Sequence, residues 1–126
     1  MTVCSAKQVR AFVTRLYRAA GVPKSHLPIL ADYYAETSLQ GLDSHALWIL
    51  PRHVGDVLRR KVNPVPKLRF FGEGGPCTRL DGDNGPGIVV AARAMEEAAS
   101  RAAGHGVGVV AVHGGNHFGA ATYYTL

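Results

Sequence analysis

Two short clusters in this 126-residue sequence carry side chains that move protons near neutral pH. The first is His113-Gly114-Gly115-Asn116-His117-Phe118-Gly119. Its glycines let the backbone come close to a ligand, and its imidazoles are the natural general acids and bases at physiological pH. His117 would stand just before a helix N-terminus, where the dipole disfavours the protonated ring and lowers its pKa. The second is Asp43-Ser44-His45. Asp and Ser are ordinary helix caps, while a hydrogen-bonded Ser–His pair can orient a substrate or relay a proton. Both readings stay open, because adjacent residues need not bring their side chains together.

Other constellations point away from chemistry. His113 and His117 are four apart, but a Gly-Gly loop is not a helix face, no Glu lies between them and no third ligand is evident, so no metal site is expected. Gly82, Gly85 and Gly87 fit neither the dinucleotide fingerprint nor the P-loop. Arg59-Arg60-Lys61 reads as a solvated helix end that complements the macrodipole. Aromatic residues are not interleaved with the basic ones, which argues against a nucleic-acid partner.

The elements that must position these clusters follow from periodicity. Val9, Phe12, Val13, Leu16, Tyr17 and Ala20 recur at the spacing of one helical face, which predicts a helix over 6–20 with Ser5 as its cap and Gly21 as its stop. A second helix is expected over 27–40, with Leu27, Leu30, Ala31 and Tyr34 inward, Ser25 as cap and Gly41 as stop. The segment 43–61 is helical again, with Leu50, Val54, Val57 and Leu58 on one face and a kink or break at Pro51. Asn63-Pro64-Val65-Pro66 ends helical character. Residues 67–81 read as strand, turn and strand, and 81–87 as a dense loop. A helix over 88–103 is expected to bury Ile88, Ala92, Met95, Ala99 and Ala102. Val107 to Val112 form a continuous apolar run, the pattern of a strand buried inside a sheet. The loop 113–119 therefore leaves the C-terminal end of a strand, the usual place for a site in an α/β protein. Ala120 to Leu126 read as the opening of a further helix.

Composition narrows the class. Apolar residues make up 47% and charged residues 18%, a globular balance that excludes disorder as the main state. No apolar run approaches the roughly 18 to 20 residues of a membrane span. The net charge of +5 is uneven: residues 1–70 hold eleven Lys/Arg against four Asp/Glu, and residues 71–126 hold three against five. The two cysteines, Cys4 and Cys77, are too few for a disulfide framework and read as free thiols in a reducing cytoplasm.

Six stretches together resemble one family. They are Glu36-Thr37 through Leu42-Asp43-Ser44-His45, Leu50-Pro51-Arg52-His53-Val54, Val62-Asn63-Pro64, Leu80 through Gly87, Gly106 through Val112, and Asn116-His117-Phe118-Gly119-Ala120 with Tyr123-Tyr124. In this order they are similar to the malate/L-lactate dehydrogenase family of the non-Rossmann type, which includes sulfolactate and ureidoglycolate dehydrogenases and reductases of diketogulonate and cyclic imino acids. The resemblance implies an oxidoreductase that uses NAD or NADP on small 2-hydroxy or 2-oxo acids, usually as a homodimer. It implies an α/β fold in which N-terminal helices lead into the start of the family's own mixed sheet. It also implies acid/base work for the residue at His117, catalytic or substrate-contacting roles for Ser44 and His45, and a substrate contact for Asn116.

This sequence departs from the family pattern in three ways. Ala46 stands where the family has Gly after the Ser-His pair. Ile49 stands where the family has an Arg that contacts the substrate carboxylate, and Ile cannot make that charge-assisted contact. Family members are also considerably longer. The chain is therefore expected to be an N-terminal portion, helical over 1–62 and α/β over 63–126, inactive alone, with most cofactor-contacting residues beyond Leu126. The alternative expectation is a non-catalytic remnant that binds a full-length relative through its amphipathic helices. Ile49→Arg, placed in a complete enzyme, should lower the KM for 2-oxo acids; an unchanged or higher KM would count against this account of Ile49.

Overall fold

The computed structural model describes residues 3–72 and 74–125. Glu73, in the expected turn, and Leu126, at the end of the expected last helix, lie outside the described residues. Helix α1 spans Ala6–Ala19 and opens on a reciprocal cap, in which Gln8 N donates to Ser5 Oγ (3.3 Å) and Ser5 N donates to Gln8 Oε1 (2.8 Å). Val9, Val13 and Tyr17 are buried, while Phe12, expected inward, stays exposed at the edge of the stripe. Gly21 follows with φ +92°, a conformation that favours glycine.

Helix α2, Leu27–Leu39, is buried on nearly every side: Tyr33, Ala35 and Thr37 join Leu27, Leu30, Ala31 and Tyr34. Its start differs from the expectation. The cap position is His26 rather than Ser25, no side chain caps it, and Pro28 in the first turn removes one of the amides that would need a partner. Segment 43–61 divides as Pro51 suggested. A single 3₁₀ turn at Asp43–His45 precedes α3, Leu50–Leu58, with Pro51 in its first turn. Leu50, Val54 and Val57 are buried, but Leu58, expected on the same face, is exposed.

The sheet has three strands, β1 Arg69–Phe71, β2 Cys77–Gly85 and β3 Val109–Gly115, in the order β1-β2-β3. β1 and β2 are antiparallel, while β2 and β3 are parallel and joined by helix α4, Gly87–His105. The chain is thus α/β, with N-terminal helices preceding a small mixed sheet.

Four further expectations are corrected here. The glycine-rich stretch 81–87 is not a loop, because β2 continues through it to Gly85. Its turn-like residues instead make an irregularity inside the strand. Asp83 and Asn84 adopt positive φ (47° and 54°), and the register with β3 shifts between Asp81 and Gly85. Asp81 Oδ1 accepts from Asp83 N (2.9 Å), and Asp83 Oδ2 accepts from Lys67 N (2.8 Å), so side chains hold the distortion.

The apolar run at 107–112 belongs to a strand at the sheet edge among the described residues, and Val109 and Val112 are about half exposed (49% and 44%). The sequence pattern implies a neighbour on each side, and only β2 pairs with it here. Helix α4 buries Gly87, Ile88, Val89, Val90 and Ala94, not the expected stripe through Met95, Ala99 and Ala102; only its first two turns reach the core. Finally, Ala120 does not open an α-helix. A 3₁₀ turn, Ala121–Tyr124, is tied to α2 by Tyr123 Oη donating to Asp32 Oδ2 (3.2 Å).

The main core gathers residues of α1, α2 and α3 with Ile88 and Val89, and a second cluster holds Leu80, Val90 and Ala94. Tyr33 links this core to the chain's end: its hydroxyl donates to His45 O and accepts from Ala120 N, both at 2.8 Å. Tyr33→Phe would leave two backbone groups without that partner and should cost about 1–3 kcal/mol, read as a lower urea midpoint at unchanged m-value.

Candidate active site

His117 lies in the segment after β3, and two glycines, one in that segment and one at the start of α4, allow close approaches around it. Gly87, at the start of α4, sits so near the Asn116 and His117 carbonyl oxygens that a Cβ there would collide with them. Gly119 has φ +82°, and the Tyr33 hydroxyl occupies the place its Cβ would take. Asn116 fixes the segment to the end of β2. Its Nδ2 donates to Asn84 O (3.0 Å), Asn84 Oδ1 (3.0 Å) and Gly85 O (2.9 Å). The amide nitrogen of this expected substrate contact is therefore engaged in holding the backbone.

The 3₁₀ turn brings His45 to His117. Their rings stack with centroids 5.9 Å apart and an interplanar angle of 21°. The Ser44 and His45 side chains do meet, with Ser44 Oγ 2.9 Å from His45 Nδ1. A third histidine completes the cluster. His53 Nε2 lies 3.2 Å from His117 Nδ1, and His53 Nδ1 lies 2.6 Å from the Tyr34 hydroxyl, itself 3.1 Å from that of Tyr17. In the sequence His53 stands within the Leu50–Val54 motif with no chemistry expected of it. The signal was available: His53 stands three residues after Leu50 and four before Val57, so a titratable ring shares the face of α3 that turns to the core.

A cavity of about 130 Å³ opens beside this cluster, lined among others by Arg52, His53, Asp56, Pro86, Asn116 and His117. Ile49 is not part of that lining and packs instead against the main core. Arg52 is the cation that faces the cavity. His113, the other imidazole of the 113–119 cluster, sits elsewhere, with Nδ1 3.8 Å from Asp81 Oδ1 and its ring stacked beside Phe71. Among the described residues no group of three or more His, Cys, Asp or Glu is placed to hold a metal ion.

The electrostatics favour neutral rings. Burial, then the His117 ring and the Arg52 guanidinium, push His53 down from the ordinary 6.5 to about 4. His117 is also lowered, first by burial and then by His45 and Arg52. The direction is the one expected of His117, but a helix dipole is not its cause, because only a 3₁₀ turn follows the segment. A ring that stays neutral at pH 7 beside a cation is suited to accept a proton from a hydroxyl next to a bound anion, and to return it.

These shifts bear on stability. A histidine whose folded pKa lies below its unfolded value stabilises the fold fully above the unfolded pKa, and that contribution is lost as pH falls toward the folded one. For His53 the window runs from about 6.5 down to about 4. Unfolding free energy should therefore fall across that range, and His53→Gln should flatten the profile there. The Asp56 and Asp81 carboxylates, held below their ordinary range by Arg59 and by the Asp83 amide respectively, add their loss only at lower pH.

Comparison with known proteins agrees with this architecture. Residues 4–126 match the malate/L-lactate dehydrogenase family. The chain is 38% identical over 116 residues to malate dehydrogenase from Pyrococcus abyssi, covering 92% of this chain and 32% of that protein. It is 38% identical over 105 residues to L-sulfolactate dehydrogenase from Methanocaldococcus jannaschii, covering 83% and 30%. The solved structure of malate dehydrogenase from Pyrococcus horikoshii OT3 superposes with a TM-score of 0.93 at 34% identity, over 98% of this chain and 35% of that one. The chain thus spans about a third of the length of the relatives it matches. Matched by the family over residues 4–126 and superposing on a solved member along nearly its whole length, the chain belongs to the malate/L-lactate dehydrogenase family.

Proposed function

We propose that this chain carries the proton-handling part of an oxidoreductase that interconverts small 2-hydroxy and 2-oxo acids. The observation that carries the reading is the neutral-favouring His117 ring, stacked on His45 and bordering a cavity that Arg52 also lines. Relatives named as malate, sulfolactate and hydroxycarboxylate dehydrogenases support this substrate class. His117 accepts the hydroxyl proton in the oxidation and returns it to the developing alkoxide in the reduction. His45, turned by Ser44, contacts the substrate beside it. Arg52 supplies the positive charge for a carboxylate that Ile49 cannot provide.

The described residues do not by themselves fit NAD or NADP. The start of α4, the one long helix that follows a glycine-rich stretch, is closed by the Asn116 and His117 carbonyls against Gly87, so no room is left for a pyrophosphate. The hollow on the other side of α4, lined by Val90, Ala94, Val112 and Phe118, is apolar. We therefore place the cofactor-holding residues beyond Leu126, and read 1–126 as the N-terminal portion of a dehydrogenase domain. Exposed Phe12 and Leu47, which line a shallow hollow on α1, favour a homodimer contact there. We place the protein in the cytoplasm; among the described residues no helix is long and apolar enough to cross a membrane, and Cys4 and Cys77 are free.

In a protein that contains this segment together with the remainder of the domain, His117→Gln should lower kcat by about 10²–10⁴ with little change in KM. Arg52→Met should chiefly raise KM for the acid. The kcat/KM for oxidation should fall as pH drops through a midpoint below 6.5, and that for reduction should rise. Full activity of His117→Gln against a panel of 2-oxo acids would reject the reading. Titrated by nucleotide fluorescence, residues 1–126 alone should give no saturable NADH binding.

A further inference from the structure

The histidine cluster has an inner side that the reading above leaves unused. From His117 Nδ1 a line of polar atoms runs inward through His53 Nε2 (3.2 Å), His53 Nδ1, the Tyr34 hydroxyl (2.6 Å) and the Tyr17 hydroxyl (3.1 Å). Tyr17 and Tyr34 are 1% and 0% exposed, so the line ends in the core and not at the surface. It cannot deliver protons to bulk water, but it can hold them in one order.

We propose that His53, backed by Tyr34, is a positioning residue that holds His117 in the tautomer with the proton on Nδ1, leaving Nε2 as the atom that gains and loses the reacting proton. This rests on the reading of His117 as the proton-handling ring. The order of hydrogen bonds follows from what each group can carry. A protonated His117 has a proton on both nitrogens, so its Nδ1–H must donate to His53 Nε2. His53 is then neutral with its proton on Nδ1, which donates to the Tyr34 oxygen, and the Tyr34 hydroxyl donates to Tyr17. Removing the proton from His117 Nε2 leaves every one of these bonds unchanged. The opposite order, with Tyr34 donating to His53 and His53 to His117, would have to reverse at every turnover. No covalent bond forms or breaks in the line, and a single proton comes and goes at Nε2.

The surroundings keep His53 in this role. Tyr34 from α2 caps one nitrogen, His117 from the segment after β3 meets the other, and His45 from the 3₁₀ turn adds like charge when protonated. On its own helix Arg52 opposes a charge on His53 and Asp56 favours it, while burial outweighs both. Both phenols are driven upward by burial and stay protonated. The pair of imidazoles therefore takes up one proton before two, and the burial of His53 disfavours it as the holder of the first.

The test reads the ring itself, by long-range ¹H–¹⁵N correlation of the histidine side chains in residues 1–126 across pH, so it does not depend on enzymatic activity. In the unaltered chain His117 should show a protonated Nδ1 and a bare Nε2 above its midpoint. His53→Phe should abolish that preference and lower the His117 midpoint further, by about half a pH unit or more, because the cation loses its acceptor. Tyr34→Phe, which removes a single oxygen bonded to His53, should act in the same direction and more weakly. His53→Gln, whose carbonyl can accept from Nδ1–H, should restore the preference. A dominant Nε2–H tautomer in the unaltered chain overturns the proposal, as does a His117 ring unmoved by His53→Phe. If His53→Phe loses the amide dispersion of the folded chain, Tyr34→Phe decides, and an unmoved His117 there overturns it equally. In a protein that contains the whole domain, full activity of His117→Gln with the tautomer intact would reject the function and leave the tautomer assignment standing; a dominant Nε2–H tautomer with His117→Gln inactive would do the reverse.

Discussion

The site depends on one buried phenol. Tyr33, with no exposed surface, donates to the carbonyl of His45 and accepts from the amide of Ala120. Those two backbone groups flank the two histidine segments, which are far apart in the chain and adjacent in space. Each is a polar group at the edge of the core that needs a partner, and a single hydroxyl serves both. Gly119 makes the approach feasible, because any side chain there would meet the phenol. This shared anchor brings the His45 turn to the His117 segment, which Asn116 binds from the other side to the end of β2.

Helix α2 is the organising element for the same reason. Its neighbours cover it on nearly all sides, so its polar atoms must find partners inside the protein. Thr37 donates to the Tyr33 carbonyl (2.7 Å) within the helix. Tyr33 reaches the site's two backbone segments, and Tyr34 reaches His53 and Tyr17. Two successive tyrosines on a buried helix thus point different ways, one holding the backbone of the site and the other meeting its side chains. The tyrosines also pack on one another edge to face, with ring centroids 5.1 Å apart, which restricts both rotamers.

Burial and charge act together on the imidazoles. Partial desolvation leads for His53 and His117, which line the small cavity with Arg52, and the neighbouring imidazoles and the Arg52 guanidinium add to the effect. Ile49 packs against the main core and takes no part in the cavity lining, which leaves Arg52 as the cation on the cavity. The sheet, by contrast, carries little of the site. It supplies the end of β2 to which Asn116 is bound, and it leaves β3 with one face and one edge uncovered among the described residues.

Much of this was legible in the sequence because it depends on local chemistry. The cap at Ser5, the stop at Gly21, the break at Pro51 and the helix after Gly87 follow from preferences that act within a few residues. The order of motifs identified the family for the same reason that local patterns persist: each is a short run read in place. His117, His45 and Ser44 were visible as residue types, but the meeting of the two segments was not, because Tyr33 joins them through hydrogen bonds reaching 12 and 87 residues along the chain. His53 was hidden by its helix, where a core-facing histidine looks like packing until Tyr34 and His117 appear on either side. The strand through Asp81 to Gly85 was misread as a loop because its turn-forming side chains bend a paired strand, and pairing is decided by β3. The exposure of β3 and of the later turns of α4 was likewise beyond the sequence, since an apolar residue records what it can be buried against, and only the tertiary structure determines whether that neighbour is there.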